Sequence, residues 1–229
     1  MLGHDWWREK WNGPGCFKYY EISKRNQYCE NYTDMKIINV RGPNGSGKTT
    51  LLKMLGKNYT HLYPGIRDAR NKPIPITLCK NPWEKVTGEE RGSIALIGDY
   101  TPMATGTTAG CDRIPTQQDI KNVINSINHA VEYVIFEGVI VSTIYGPWKE
   151  FADPHGGMTW AFLNTPLDLC LGRIQARNGG KVINEKLVVD KFHTINRVKE
   201  KASAAGLDVA TIRYDYAWAD FKHLLYKAQ

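Results

Sequence analysis

The fold is decided by the stretch Met35-Lys-Ile-Ile-Asn-Val-Arg-Gly-Pro-Asn-Gly-Ser-Gly-Lys-Thr-Thr50. Its first part, residues 36–41, predicts a buried strand, and residues 47–56 predict a helix. Between them, residues 42–49 match the pattern G-x-x-x-x-G-K-S/T in full. A strand, a glycine-rich loop and a helix in this order predict a phosphate-binding loop, the P-loop.

Each residue type in the P-loop has a use in binding phosphate. Glycines let backbone N–H groups point at phosphate oxygens, and the following helix presents its positive N-terminus to the same anion. Lys48 is predicted to reach the β- and γ-phosphates of ATP, and the hydroxyl of Thr49 to ligate Mg²⁺. The residues predicted to bind the nucleotide are Gly42, Asn44, Gly45, Ser46, Gly47, Lys48, Thr49, Thr50 and Arg173.

Composition and charge are those expected of an ordinary intracellular protein. The 229 residues are 42% apolar and 23% charged, and no apolar run approaches the roughly 20 residues that span a bilayer. The N-terminus does not resemble a secretory leader, and the five cysteines lack Cys-x-x-Cys spacing, so reduced thiols in the cytoplasm are expected. The net charge of +7 favours a polyanionic partner, either a nucleotide or a nucleic acid.

Strand-like and helix-like stretches alternate from Met35 onward, which predicts a parallel sheet covered by helices. We expect a three-layer P-loop NTPase sandwich with a central five-stranded parallel sheet and a helical lid at about residues 173–186. The five predicted strands are 36–41, 93–99, 133–137, 159–163 and 209–213, with 76–80 as a further short candidate. The later predicted helices are 116–129, 167–177, 185–205 and 218–227. Residues 1–34 are predicted to be an N-terminal extension, and residues 35–229 the P-loop domain.

Two of the predicted strands end in carboxylates. Glu137 ends one of them and is predicted to hold Mg²⁺, directly or through water. Asp99, followed by Tyr100, ends the other and is predicted to orient an attacking hydroxyl or accept its proton. The alternatives are a strand that happens to end in Glu and an Asp that caps a turn.

Further candidates lie in a loop and on a helix. Asp112 and Arg113 follow a Gly- and Thr-rich loop and are predicted to contact the substrate, although a solvated turn explains them equally well. Arg173 and Arg177 are four residues apart and therefore share one helix face, from which they are predicted to neutralise charge on the transferring phosphoryl group. The pair Gly179-Gly180 then predicts a hinge for the lid, and a solvated basic face is the alternative.

The order of these parts resembles the nucleoside and nucleotide kinase group of P-loop kinases. The resemblance covers about residues 35–229 and includes Asn164-Thr-Pro-Leu-Asp-Leu-Cys-Leu-Gly-Arg173-Ile-Gln-Ala-Arg177. It implies that Arg173 and Arg177 are lid residues, that Glu137 is the acid on the Mg²⁺ side and that Asp99 is the base. With the P-loop, the predicted catalytic residues are Lys48, Asp99, Arg173 and Arg177, and the predicted metal residues are Thr49 and Glu137. More narrowly, Gly98-Asp99-Tyr100 and Ala109-Gly110-Cys111-Asp112 resemble phage kinases that phosphorylate 5-hydroxymethyluracil within DNA. That resemblance implies action in the cytoplasm of a phage-infected bacterium.

A DNA acceptor receives some support from basic and aromatic residues. Tyr145 and Trp148 are predicted to stack an unpaired base, with core packing as the alternative. A basic cluster is predicted to follow a phosphate backbone, with a solvated helix face as the alternative. Its members are Lys181, Lys186, Lys191, Arg197, Lys199 and Lys201. Two other functions remain open: a kinase of free nucleosides or nucleotides, and a nucleic-acid-binding module switched by ATP.

Overall fold

The computed structural model describes residues 35–63, 65–82, 93–102, 110–127, 131–179 and 181–227. The predicted N-terminal extension lies outside these ranges. The strands are β1 (Lys36–Arg41), β2 (Tyr59–Tyr63), β3 (Ile76–Cys79), β4 (Ile94–Ile97), β5 (Tyr133–Glu137), β6 (Thr159–Asn164) and β7 (Val209–Arg213). The α-helices of the described residues are α1 (Lys48–Gly56), α2 (Gln117–Ile127), α3 (Val139–Ser142), α4 (Gly146–Ala152), α5 (Leu167–Arg177), α6 (Glu185–Ala204) and α7 (Ala217–Lys227). None of them is both long and apolar enough to cross a membrane.

The seven strands form one mixed sheet in the order β2-β3-β4-β5-β1-β6-β7. The prediction of a five-stranded parallel sheet is therefore wrong for the sheet as a whole. The five predicted strands are its parallel part, whereas β3 pairs antiparallel with β4, and β2 antiparallel with β3. Sequence reasoning missed β2 because this edge strand has a polar, largely exposed sequence, Tyr-Thr-His-Leu-Tyr, and no apolar run.

The central strand β1 is buried on both faces. On one face, Ile38 and Val40 pack with the buried leucines of α1, which are Leu51, Leu52 and Leu55. On the other face, Ile37 packs into a second core cluster with side chains of β5, β6, α2 and α6. Burial of each leucine side chain contributes about 1.5–3 kcal/mol. This packing fixes the start of α1 beside the carboxyl end of β1, and the P-loop must bridge the short gap between them.

Local signals in the sequence explain where the other helices begin. At α2, Thr116 Oγ1 accepts from the Asp119 N–H at 3.0 Å and donates to Asp119 Oδ2 at 2.7 Å, a reciprocal cap. At α6, the Asn184 side chain accepts from the N–H of Leu187. Helix α5 starts directly after Pro166, whose fixed φ suits this position. The predicted helix ends agree with these bounds to within one or two residues, except that residues 128 and 129 lie outside the described ranges.

Candidate active site

The P-loop adopts a backbone path that requires glycine. Gly45 has φ 76° and Gly47 has φ 101°, a left-handed region in which side chains are strained. A Cβ atom on Gly45 would also collide with the carbonyl oxygen of Cys170, because the loop packs directly on α5. The hydroxyl of Thr165 donates to the Ser46 carbonyl at 2.8 Å and holds the loop from the same side.

Lys48 is buried inside the P-loop. Its Nζ donates to the carbonyl oxygens of Gly42 at 2.8 Å and Pro43 at 3.0 Å, so the side chain folds back over the loop. Burial lowers the pKa of this ammonium, while the nearby charges of Glu137 and Asp112 act in the opposite direction. The predicted lysine therefore lies between the phosphate cradle and two carboxylates.

Glu137 is a nearly buried carboxylate, 3% exposed, at the carboxyl end of β5. Its Oε1 accepts from Thr49 Oγ1 at 2.7 Å and from the Tyr100 hydroxyl at 3.2 Å. The two residues predicted to serve the metal thus meet directly. Burial, reinforced by the negative charge of Glu137, raises the pKa of Tyr100 well above its ordinary value, so the phenol keeps its proton.

The prediction that Tyr100 contacts the substrate needs correction. Its side chain is 0% exposed, and its hydroxyl donates to Glu137 Oε1. A fully buried ring has no face to offer an acceptor. Tyr100 instead orients the carboxylate of Glu137 from within the core.

Asp112 holds the chain segment that follows Glu137. Its Oδ2 accepts from the N–H of Val139 at 2.9 Å, and its Oδ1 from the N–H of Ile140 at 3.1 Å. These N–H groups open the short helix α3, and such groups lack partners within a helix. Both carboxylate oxygens are therefore engaged with backbone, which differs from the predicted grip on the substrate. Arg113 is exposed on the next position.

Gly110 packs directly against the carboxylate of Glu137. A Cβ atom at this position would lie 2.5 Å from Glu137 Oε1 and 2.6 Å from the Glu137 carbonyl oxygen. A real Cβ atom essentially never lies this close to a non-bonded atom, so Glu137 or the segment at Gly110 would have to move. Glycine at this position therefore preserves the pairing of Glu137 with Thr49.

Gly110→Ala is expected to lower phosphoryl transfer at least about tenfold, because displacement of a catalytic group by about 1 Å has effects of this order or larger. Steady-state kinetics with varied Mg²⁺ measure the loss. Gly172→Ala is the matched control, since a Cβ atom on that α5 residue meets nothing within 4 Å. The control should retain activity and gain up to about 1 kcal/mol of stability. Full activity in Gly110→Ala would show that Glu137 tolerates displacement.

Asp99 lies just beyond β4, at the sheet edge where Glu137 ends the neighbouring parallel strand. It is half-buried, and its Oδ1 accepts from both the N–H and the hydroxyl of Thr101, at 3.1 and 2.8 Å. Within the described part of the chain, nothing donates to Oδ2. Asp99 is not among the described residues that line the pocket over the P-loop. Thr101 thus fixes one oxygen of Asp99, on the far side of Glu137 from the P-loop.

The two predicted arginines of α5 both line the pocket over the P-loop. Arg173 Nη1 donates to the carbonyl oxygens of Gly45 at 3.2 Å and Ser46 at 3.4 Å. Helix α5 thereby brings both guanidinium groups to the phosphate cradle. Of the predicted hinge, Gly179 has φ 60°, and residue 180 lies outside the described ranges.

This pocket has a volume of about 710 Å³, within the usual range for small-molecule sites. Beyond the P-loop, Glu137 and the arginines, part of its wall comes from the segment after β7. Tyr214, Asp215 and Trp218 line it there, and sequence reasoning missed all three. Their position in the sequence could have predicted this, because residues after the carboxyl end of a parallel strand face the ligand crevice.

Arg41 is a second functional candidate that sequence reasoning missed. Its guanidinium is fully buried, stacks 3.9 Å from the Trp160 ring centre, and donates through Nη1 to the carbonyl oxygens of Ser142 and Ile144. Burial lowers the pKa of Arg41 well below its ordinary value. Ser142 Oγ in turn accepts from the Gly42 N–H at 3.2 Å. Arg41 and Ser142 therefore join the end of α3 to the first residue of the P-loop.

The aromatic residues predicted to stack a base have other positions. Trp148 is 0% exposed, with its ring 4.9 Å from that of Phe136, so its predicted contact with the substrate is wrong. Tyr145 is half-buried, 5.6 Å from the ring of Trp160, and packs against the core. Core packing, the alternative for both, accounts for these contacts.

The basic cluster lies on and before α6. Its fully exposed members are Lys181, Lys186, Arg197 and Lys201, while Lys191 and Lys199 are partly covered. The buried positions of α6 are Val188, Ile195, Val198 and Ala202. This exposure is compatible both with the predicted contact to a phosphate backbone and with a solvated helix face.

A glycine-rich loop, a buried lysine and a threonine–glutamate pair at one sheet edge define a nucleotide-phosphate site of the P-loop type. Comparison with known proteins identifies the group more closely. A family described as 5-hmdU DNA kinase matches residues 23–213. The chain belongs to this family, which confirms the narrower resemblance noted from the sequence.

Individual relatives carry the same description. The 5-hmdU DNA kinase of Pseudomonas phage M6 is 50% identical over 194 residues, which cover 83% of this chain and 98% of that protein. That of Pseudomonas phage PaMx11 is 29% identical over 196 residues, with 83% and 97% covered. The 5-hmdU DNA kinase 1 of Salmonella phage ViI is 31% identical over 162 residues, with 69% and 66% covered.

Proposed function

We propose that this protein is a kinase that transfers the γ-phosphoryl group of ATP to the hydroxyl of 5-hydroxymethyluracil in phage DNA. The observation that carries the proposal is the site itself: a P-loop lysine, the Thr49–Glu137 pair and two arginines around one pocket. Membership of the 5-hmdU DNA kinase family supports the choice of acceptor. Because the named relatives are phage proteins, we place the reaction in the cytoplasm of the infected host.

The donor half of the reaction is assigned to the P-loop and α5. Backbone N–H groups of the P-loop hold the phosphates, and Lys48 turns from its present carbonyl partners toward the β- and γ-oxygens. Arg173 and Arg177 neutralise the charge that spreads over the phosphoryl oxygens during transfer. The bond between the γ-phosphorus and the bridging oxygen breaks, and ADP leaves with that oxygen.

The acceptor half is assigned to Asp99. Its Oδ2, to which none of the described residues donates, accepts a hydrogen bond from the hydroxymethyl group and orients the oxygen for in-line attack. As the new P–O bond forms, the hydroxyl proton passes to this carboxylate. Thr101 holds the opposite oxygen, so the carboxylate presents a defined face to the acceptor.

The residues at the P-loop suit Mg²⁺. Thr49 Oγ1 and Glu137 Oε1 are hard oxygen donors 2.7 Å apart, and Mg²⁺ binds few protein oxygens beside phosphate and water. Thr49 would hold the ion directly, and Glu137 directly or through water. When bound, Mg²⁺ supplies positive charge to the β- and γ-phosphate oxygens. Asp112, bonded to the first N–H groups of α3, keeps the segment after Glu137 in place.

A panel of acceptors tests this function against its alternatives. The full chain is incubated with γ-labelled ATP and, in turn, free deoxynucleosides, deoxynucleotides, plain duplex DNA, and duplex DNA containing hydroxymethyluracil. We expect label only on the last. Label on free nucleosides but not on DNA would contradict the proposed acceptor, and phosphate release without a labelled acceptor would indicate an ATP-driven switch.

A further inference from the structure

We propose that a basic hairpin, residues 65–75, binds the sugar–phosphate backbone of the DNA substrate beside the acceptor side of the active site. The inference rests on the proposed function and adds the surface on which the DNA lies. It also moves that surface away from α6, the helix that carries most of the basic cluster predicted from the sequence.

The hairpin is built around one buried carboxylate. Asp68 accepts from the N–H of Arg70 at 2.8 Å and of Lys72 at 2.9 Å, and its own N–H donates to the Lys72 carbonyl at 2.8 Å. Asn71, with φ 61°, makes the turn. Burial acts to raise the pKa of Asp68, but the hydrogen bonds from Lys72 and Arg70 together keep it below its ordinary value. Asp68 therefore stays charged, and the hairpin stays closed, at neutral pH.

Direct hydrogen bonds fix the base of the hairpin to the segment that carries Asp99. The Gly98 N–H donates to the Pro75 carbonyl at 2.8 Å. Thr77, two residues after Pro75, donates through Oγ1 to the Gly98 carbonyl at 2.7 Å and accepts from the Tyr100 N–H at 3.0 Å. The residues on both sides of Asp99 are thus bonded to the strand that leaves the hairpin.

The tip of the hairpin is bonded to the segment that carries Asp112. Arg70 Nη2 donates to the Arg113 carbonyl at 2.8 Å, while the same nitrogen pairs with Asp68 at 2.7 Å. The hairpin therefore spans from the proposed acceptor acid to a wall of the nucleotide pocket, where Asp112 lies. A DNA strand whose hydroxymethyl group reaches Asp99 would lie beside this surface.

The charge of the hairpin fits a polyanion. Asp68 is its one carboxylate, with its side chain 3% exposed and paired to Arg70, so its charge is neutralised within the protein. Arg67 and Lys72 are exposed, and Arg67 Nη1 donates to the Asn71 carbonyl at 2.7 Å. The Lys72 side chain makes no hydrogen bond or ion pair within the described part of the chain. Duplex DNA carries one negative charge per roughly 1.7 Å of axis, so two exposed cations on a rigid hairpin suit its phosphates.

Helix α6 packs against a part of the sheet that is distant in strand order from the hairpin. The hairpin leads into β3, next to β4 and Asp99, whereas α6 packs on β6 and β7 at the other end of the strand order. The hairpin, in contrast, adjoins the strand end from which Asp99 projects its carboxylate.

The test compares two variants of the full chain with equal change of charge. The hairpin variant carries Arg67→Gln and Lys72→Glu, and the α6 variant carries Arg197→Gln and Lys201→Glu. Duplex DNA containing hydroxymethyluracil is used at several salt concentrations, and both KM for DNA and direct binding of a fluorescent duplex are measured. Melting temperature and KM for ATP show whether each variant remains folded.

The hairpin variant is expected to raise KM and Kd for the duplex about tenfold and to reduce the salt slope of log Kd by about 1 to 2, since it loses two phosphate contacts. Its KM for ATP should not change. A smaller loss in the hairpin variant than in the α6 variant, or an unchanged salt slope, would overturn the inference. Transfer by the unaltered protein reports separately on the proposed function, because duplex binding is measured without chemistry.

Discussion

Replacement of Glu137 by glutamine is expected to reduce kcat about a hundredfold to a thousandfold, the usual cost of removing one group that stabilises transition-state charge. The amide retains the shape of the side chain and still accepts from Thr49 and Tyr100. It loses the negative charge, however, and with it the attraction for Mg²⁺. Higher Mg²⁺ should therefore recover part of the activity, which steady-state kinetics across a Mg²⁺ series will measure.

The matched control for this change is Glu150→Gln. Like Glu137→Gln, it replaces one carboxylate oxygen by an NH₂ group, but the carboxylate is an exposed one on α4. It should leave kcat and the Mg²⁺ dependence within about twofold, as surface substitutions usually do. A Glu137→Gln enzyme with normal kcat and an unaltered Mg²⁺ profile would contradict the assignment of Glu137 to the metal side of the site.

Asp99→Asn is the second change with a large expected effect. We expect kcat to fall about 10²- to 10⁴-fold, the range for loss of a general base, with the Kd for ATP unchanged. An amide accepts a hydrogen bond from Thr101 as the carboxylate does, so the local turn is retained, but it cannot take a proton from the acceptor hydroxyl. Single-turnover transfer to hydroxymethyluracil DNA measures the chemical step, and calorimetry with a non-hydrolysable ATP analogue measures binding.

The variant Asp112→Asn distinguishes the role of Asp112 from that of Asp99. Both Asp112 oxygens accept from backbone N–H groups, so an amide nitrogen placed there would face a donor. Its effect should therefore include a lower melting temperature, which Asp99→Asn should not show. If instead Asp99→Asn abolished ATP binding, Asp99 would belong to the metal shell and the acceptor base would lie elsewhere.

Local signals were sufficient for the donor half of the site. The P-loop is contiguous in sequence, and its glycines, Lys48 and Thr49 take their places because a buried strand and a helix fix both of its ends. Glu137 could be located for a similar reason, since an apolar strand that ends in an acid is visible in one short stretch. The two arginines were predicted from their helical spacing, their position after the acidic strand and the family resemblance, and both line the pocket.

The predictions that failed depended on contacts between distant segments. Nothing in the sequence around Trp148 distinguishes a ring that packs on Phe136 from one exposed to a base. The position of Tyr100 directly after Asp99 likewise does not tell whether its ring points to the substrate or toward Glu137. Arg41 follows an apolar run and suggests a strand end near solvent, although a stack on Trp160 buries it completely.

The contacts of the hairpin and of Asp112 could not be predicted from the sequence either, because they are hydrogen bonds between distant residues. The hairpin at 65–75 is a proline-interrupted segment, and two hydrogen bonds to distant residues fix its position. Pro75 accepts from Gly98, 23 residues away, and Arg70 donates to Arg113, 43 residues away. Asp112 likewise acts on N–H groups 27 and 28 residues further along the chain. Sequence spacing does not encode such pairs.

Mass spectrometry of two matched duplexes can follow the phosphoryl group from ATP to hydroxymethyluracil within DNA. Two duplexes that differ only in thymine or hydroxymethyluracil at a single position are incubated with γ-labelled ATP, digested by nuclease to nucleoside monophosphates without phosphatase, and analysed by mass spectrometry. We predict that hydroxymethyldeoxyuridine gains the mass of one phosphoryl group on its hydroxymethyl oxygen, with one ADP formed per modified base and no label on the thymine duplex. Equal label on both duplexes, or ADP without modified base, would contradict the account.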